Sequence, residues 1–151
     1  MEDQDMIKLS LKDEKASAVA GQVYDRLWSE QGLRTTTADI EIEAVPGAVT
    51  LNGRVRTGLL RGQADRLARA GLNGWQLVNN LISDDQVIMD LAGRLATDAA
   101  TATANVQIDA YLGNVYLSGT VQSEAQRAAV LNLVRQTPHV TKVDDLLSLA
   151  R

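Results

Sequence analysis

The chain lacks cysteine and phenylalanine and has one histidine in 151 residues. Without cysteine there is neither a disulfide framework nor thiolate ligation of zinc or an iron–sulfur cluster. With His139 alone, no site can draw two imidazoles from one chain. Aromatics make up 3%, confined to Tyr24, Trp28, Trp75, Tyr111 and Tyr116. No run approaches the roughly 18 apolar residues of a spanning helix, so no transmembrane segment is expected. Positive charge is in deficit, with 15 Lys and Arg against 19 Asp and Glu and a net charge of −4. Such a chain lacks the basic footprint of a nucleic-acid binder and is not drawn as a whole to an anionic membrane. The opening MEDQDMIKLSLKDEK holds five acids before Lys15 and no apolar core, unlike a signal peptide. The expected compartment is the cytoplasm for the sequence as written, or the periplasm if a leader has been removed.

What the chain does have is a 45% apolar content, too high for a disordered polymer, and an internal repeat. DIEIEAVPGAVTLNGRV (39–55) lies over NVQIDAYLGNVYLSGTV (105–121) at a shift of 66. Seven of those seventeen positions are identical, among them Gly47/Gly113, Val49/Val115, Leu51/Leu117 and Gly53/Gly119. Upstream, Val19, Val23 and Leu27 fall on Val87, Leu91 and Leu95 at a shift of 68. Downstream, Trp75, Val78, Asn80 and Ile82 fall on Val140, Val143, Asp145 and Leu147 at a shift of 65. Small changes of shift belong in loops, where insertions cost little. The chain is a duplication, organised as an N-terminal segment 1–15 and two units, 16–83 and 84–151.

Each copy reads alike. A helical spacing of apolar residues comes first, then the period changes from 3.6 to 2. Ile40, Ile42 and Ala44 alternate with acids, Pro46-Gly47 turns the chain, and Val49, Leu51, Gly53 and Val55 alternate with polar residues. That is a hairpin with one apolar and one wet face. In copy two the turn is Gly113-Asn114 or Leu112-Gly113. A second helix follows in each copy, Leu59 to Ala70 and Ser123 to Gln136, the latter opened by a capping box of Ser123 and Gln126. A third strand closes each copy, Trp75 to Ile82 and Val140 to Leu149. The expected class is therefore α+β, two tandem α-β-β-α-β units. Each is a three-stranded mixed sheet with two helices on one face. Ile7, Leu9 and Leu11 alternate with Lys8, Ser10 and Lys12, which favours an extra edge strand, in this chain's sheet or a neighbour's, over a frayed tail.

These residues closely resemble the BON domain, the module named for bacterial osmotically inducible and nodulation proteins. Copy one supplies Gly47-Ala48-Val49-Thr50-Leu51-Asn52-Gly53-Arg54-Val55, then Gly74-Trp75, Val78, Asn80 and Ile82. Copy two supplies Gly113-Asn114-Val115-Tyr116-Leu117-Ser118-Gly119-Thr120-Val121, then His139-Val140, Val143, Asp145 and Leu147. Trp75, His139 and Asp145 depart from the family's valine, glycine and asparagine. The resemblance implies a non-enzymatic module of osmotic stress or the bacterial envelope, associated with phospholipid surfaces. Some relatives are cytosolic and one binds potassium.

Individual residues add less. Gly47 and Gly113 read as turn glycines, and Gly53 and Gly119 as strand glycines against which backbone packs closely. His139 reads as a loop histidine. Asp84-Asp85 and Asp144-Asp145 read as capping or solvated carboxylates, since neither pair has the spacing of a calcium loop. Trp28 and Trp75 fall on core positions. Arg54, Arg56, Arg61, Arg66 and Arg69 crowd copy one, while copy two has only Arg127 and Arg135 over the matching span. This basic cluster is the candidate binding patch, for phospholipid headgroups or an acidic protein partner. Its plainer reading is a solvated helix face with arginine paired across strands to Glu41 and Glu43. The expected function is a binding module without catalysis or cofactor. The alternatives are an assembly protein forming homo-oligomers through edge strands, and a cytosolic ligand- or ion-sensing module.

Overall fold

A computed structural model describes residues 7–11, 14–30 and 38–151, with side chains from Ser17 to Glu30 and from Asp39 onward. Of the N-terminal segment, residues 1–6, 12 and 13 lie outside the described residues. The chain divides into two compact units, Met1–Ser83 and Asp84–Arg151.

The first unit runs β1 (Ile7–Leu11), α1 (Glu14–Trp28), β2 (Ala38–Val45), β3 (Ala48–Val55), α2 (Gly58–Ala70) and β4 (Gln76–Ser83). Its sheet has the order β1-β2-β3-β4, with β2–β3 antiparallel and the outer pairs parallel. The alternating N-terminal segment is thus a strand of its own chain's sheet. Ile40, Ile42, Ala44, Val49, Leu51, Val55 and Leu81 form the buried sheet face, against Val19, Val23 and Leu27 of α1 and Ala64 and Ala68 of α2. Small alanines on α2 let that helix lie close to the sheet. Thr57 caps α2, its side chain accepting from the Leu60 N–H at 3.1 Å.

The second unit repeats the plan without a counterpart of β1 among the described residues. It runs α3 (Asp84–Thr97), β5 (Asn105–Tyr111), β6 (Asn114–Val121), α4 (Glu124–Gln136) and β7 (Lys142–Leu149), in a sheet of order β5-β6-β7. Val87, Leu91 and Leu95 of α3 and Val130 and Val134 of α4 cover Ala110, Val115, Leu117, Val121 and Leu147. Burying one sheet face and leaving the other wet is what the period-2 pattern dictated. The helix-two capping box is present in modified form. Ser123 accepts from the Gln126 N–H at 3.0 Å, and the Gln126 side chain accepts from Gln122 rather than from Ser123.

The two hairpin turns have equal length and different geometry. Val45 pairs with Ala48, so Pro46-Gly47 is the turn, with Gly47 at φ +86°. Proline cannot take positive φ, so this is the type II pattern. Tyr111 pairs with Asn114, which selects Leu112-Gly113 over Gly113-Asn114. There both central residues are left-handed, at φ +48° and +91°, the primed hairpin geometry.

One sequence alignment is corrected. In the ladders Val49 faces Leu77 and Val115 faces Val143, while Gly53 faces Leu81 and Gly119 faces Leu147. The third strands therefore match at a shift of 66, and Leu77, Asn79 and Leu81 correspond to Val143, Asp145 and Leu147. Val78, Asn80 and Ile82 face the other side of the sheet. The doublets Leu77-Val78, Asn79-Asn80 and Leu81-Ile82 present the same pattern in either register, so residue types alone do not set the phase.

Candidate interaction surfaces

The arginines of copy one do not converge. Arg54 stands opposite Asp39 on β3, one residue out of phase with the buried Val55, and so on the open sheet face. Glu41 and Glu43 face Asn52 and Thr50 instead of arginine. Arg61, Arg66 and Arg69 lie on α2, which covers the opposite face. Arg56 follows the end of β3, half-buried. The cluster is thus dispersed over both layers of the unit.

Arg61 is engaged by the fold. Its Nε donates to the Leu81 carbonyl and its Nη2 to the Asn79 carbonyl, each at 2.8 Å. The equivalent Arg127 donates from Nη1 to the Leu147 carbonyl at 2.7 Å. In both units an arginine from the second helix thus holds the third strand. The residues beneath it differ in a compensating way. In the first unit Asn79 donates to Asp65 at 3.3 Å, and Asp65 accepts from Arg69 Nε at 2.8 Å. In the second unit Asp145 itself accepts from Arg127 at 3.2 Å, and the position matching Asp65 is Leu131. The strand carboxylate thus takes the place of Asp65, and Glu124 at the start of α4 also accepts from Arg127 Nε at 3.1 Å. The Arg69 hydrogen bond, first among the causes, holds the Asp65 carboxyl below its ordinary value. The Asp145 hydrogen bond likewise raises Arg127.

Asp84, read from sequence as a capping or solvated carboxylate, is only 2% exposed. Its two oxygens accept from the Leu112 and Gly113 N–H groups at 2.7 and 3.1 Å. It ties the start of α3 to the β5–β6 turn and steadies the left-handed Leu112. Copy one has Ala16 at the matching place and Pro46, which has no N–H, in the turn. The carboxylate and one of its two donors are missing from that copy.

Gly53 and Gly119 hold φ +124° and +108°, and an added Cβ would lie on the carbonyl oxygen of Asp39 or Asn105. Gly47 and Gly113 occupy the turns. His139, at φ +73°, takes a left-handed backbone, as do Asn73 at +53° and Gly74 at +87° ahead of the third strand of copy one. Trp28 corrects the expectation of core packing. It is 38% exposed and stacks on Tyr24, with ring centroids 6.0 Å apart. Trp75 is half-buried against the core. Among the described residues no three His, Asp or Glu side chains cluster as metal ligands, and no helix is long and apolar enough to cross a membrane.

What remains on the surface is the open sheet face of each unit. In the first, Asp39, Glu41 and Glu43 form an acidic row on β2, and Asn80 donates to Asn52 at 3.4 Å. In the second, Tyr116 on β6 and Leu146 on β7 are 37% and 65% exposed, flanked by Asp109 and Asp144 in register with Tyr116. On α2, Leu59 is 69% exposed and Arg66, seven residues on, lies on the same helical face. The features sequence reasoning missed, the Arg61 and Arg127 clamps and the Asp84 tie, join residues 18 to 29 apart. Their one sequence trace is the arginine that recurs at the shift of 66.

Comparison with known proteins agrees with this geometry. The BON domain family model matches residues 15–83 and again 83–151. Two solved structures are similar in fold, both of CdsD, a structural protein of the type III secretion system of Chlamydia trachomatis. The first, its C-terminal domain, superposes with a TM-score of 0.66 at 17% identity, covering 93% of this chain and 68% of that one. The second gives 0.66 at 20% identity, covering 89% of this chain and 63% of that one. No curated protein matches the chain.

Proposed function

The chain belongs to the BON domain family, with one copy of the domain in each half, and from that premise we propose a non-catalytic interaction and assembly module. The observation that carries this reading is the open sheet face of the second unit. There an aromatic and a large aliphatic side chain stand exposed within a polar surround, the make-up of an interface centre. The fold likeness to a secretion-system structural protein supports the same reading. The polar groups with the closest geometry, Arg61, Asp84 and Arg127, act on backbone carbonyls and N–H groups of the fold itself.

Sedimentation of the chain over a range of concentrations tests the reading. A mass that rises with concentration, and that reverts to a monomer in Tyr116→Lys with Leu146→Lys, is the expected result. A monomeric wild type with an unchanged double variant overturns self-assembly through this face.

A second reading, contact with phospholipid headgroups, is favoured by the Leu59–Arg66 strip, where an exposed aliphatic side chain adjoins a cation. Co-sedimentation with anionic vesicles that is lost in Arg66→Glu and at high salt supports it. Equal binding to neutral and anionic vesicles, or no binding at low salt, removes it. Arg61→Glu is a poor probe of this reading, because it also breaks the α2–β4 clamp.

A further inference from the structure

The two units differ at one sheet edge. In the first, β1 pairs in parallel along β2, setting Ile7, Leu9 and Leu11 in register with Ile40, Ile42 and Ala44. Ile40 and Ile42 are fully buried. In the second, the corresponding edge belongs to β5, and no described strand pairs with its outer side. Val106 and Ile108, the counterparts of Ile40 and Ile42, are only half-buried. They line a cleft of mixed polar and apolar surface with Ala92, Leu95, Ala96, Thr101 and Ala104.

The reason is topological. In the first unit a strand, β1, precedes α1 and returns beside β2. In the second, the strand that precedes α3 is β4, and α3 begins at the next residue. β4 already pairs with β3. The repeat thus uses its covering strand to complete the previous sheet, and no described strand pairs with the outer side of β5, where the Ala110 N–H donates to the Asp109 side chain at 2.8 Å.

We propose that the β5 edge and its cleft form a docking site for an extended segment of a partner protein, added as a strand parallel to β5. The occupant's chemistry follows from β1, the segment that fills the sister groove. Aliphatic residues at alternate positions lie in register with Val106, Ile108 and Ala110, and polar residues alternate with them. Along β2, Lys8 stands in register with Glu41 and Ser10 with Glu43. On β5 the matching positions are Gln107 and Asp109. The one acid therefore sits beside the place of Ser10, and a basic residue there is favoured. Main-chain hydrogen bonds supply affinity and the alternate side chains supply register, the general logic of strand addition. The edge meets the open sheet face of its unit at Asp109, which also flanks Tyr116, but peptide protection of 105–110 is read apart from the concentration-dependent mass that tests that face.

The test uses the full chain, whose β2 edge is already filled, and labelled synthetic peptides in trans. The first peptide repeats residues 5–12, DMIKLSLK, and a second replaces the serine by lysine. A third exchanges the aliphatic and polar positions. Saturable binding of the first, tighter binding of the second, none of the third, and hydrogen-exchange protection confined to 105–110 are the expected results. Ala96→Trp, which fills the mouth of the cleft from an exposed position, weakens binding at least about tenfold. Ile108→Ser does the same from the strand side, so loss of one variant to misfolding leaves the other to decide. No saturable binding, equal binding of the third peptide, or protection at 38–45 through displacement of β1 overturns the proposal. Protection of 105–110 in the chain alone as its mass rises assigns the edge to a second copy and also overturns it.

Discussion

Gly53 and Gly119 do the same work 66 residues apart. Each takes positive φ and each leaves its Cβ position to a carbonyl oxygen of the neighbouring strand. Alanine at either place combines left-handed strain with a backbone clash, and an expected cost of about 2 kcal/mol or more. Urea unfolding of Gly119→Ala checks this, with Gly93→Ala, where an added Cβ meets open space, as the control. Asp84 is a second residue-scale determinant. Asp84→Ala leaves two turn N–H groups without their acceptor, and a loss of about 2–3 kcal/mol is expected, with Asp84→Asn in between. Asp65 supplies a pH signature. Its pKa lies below the ordinary 3.8, chiefly through the Arg69 hydrogen bond. Its stabilisation is present above the unfolded-state value and is lost as pH falls through the lower folded one. Asp65→Asn is expected to match wild type near pH 2. At pH 7 it falls short by under about 1 kcal/mol, since the pair is solvent-exposed. Parallel urea titrations at the two pH values read the difference.

Between elements, the arginine from the second helix to the third strand is the recurring connection. Arg61 reaches two carbonyls of β4 with two donors in a fixed fork, and Arg127 reaches one of β7. Arg61→Ala is expected to lower stability by about 1 kcal/mol. Arg61→Lys should recover little of it, because one ammonium cannot span the Asn79 and Leu81 carbonyls. Recovery by lysine in denaturant unfolding contradicts the clamp. The exchange of Asn79 and Asp65 for Asp145 and Leu131 explains why charge counts mislead here. Arginines that stand out in copy one as surplus positive charge include one bound to backbone and one paired with its own helix. From composition the cluster was legible, but its dispersal over two layers was not. A strand places successive residues on opposite faces, and α2 covers the face that Arg54 does not share.

For the whole molecule, the duplication supplies two compact units that differ in what guards the first hairpin strand. Deletion of residues 1–12 removes β1 and opens the β2 edge, where Ile40 and Ile42 are now buried. Faster hydrogen exchange at 38–45, with exchange at 105–121 unchanged, is the expected outcome. Unchanged exchange at 38–45 shows that β1 does not guard this edge. The acidic row on the first open face and the Tyr116–Leu146 pair on the second give the two units different surfaces on one scaffold.

The repeat, its element order, the hairpins and most core residues followed from the sequence alone. Periodicity and turn chemistry act over a few residues and are written locally. The extra N-terminal strand was legible as an alternation, though which sheet it would join was not. Only tertiary structure decided the phase of the third strands, the engagement of Arg61, Asp84 and Arg127, the exposure of Trp28 and the open edge of β5. Each depends on atoms brought together across 18 or more residues, or on which face of an element another covers. A doublet such as Asn79-Asn80 carries no mark of the face it will present until the sheet twists it into place.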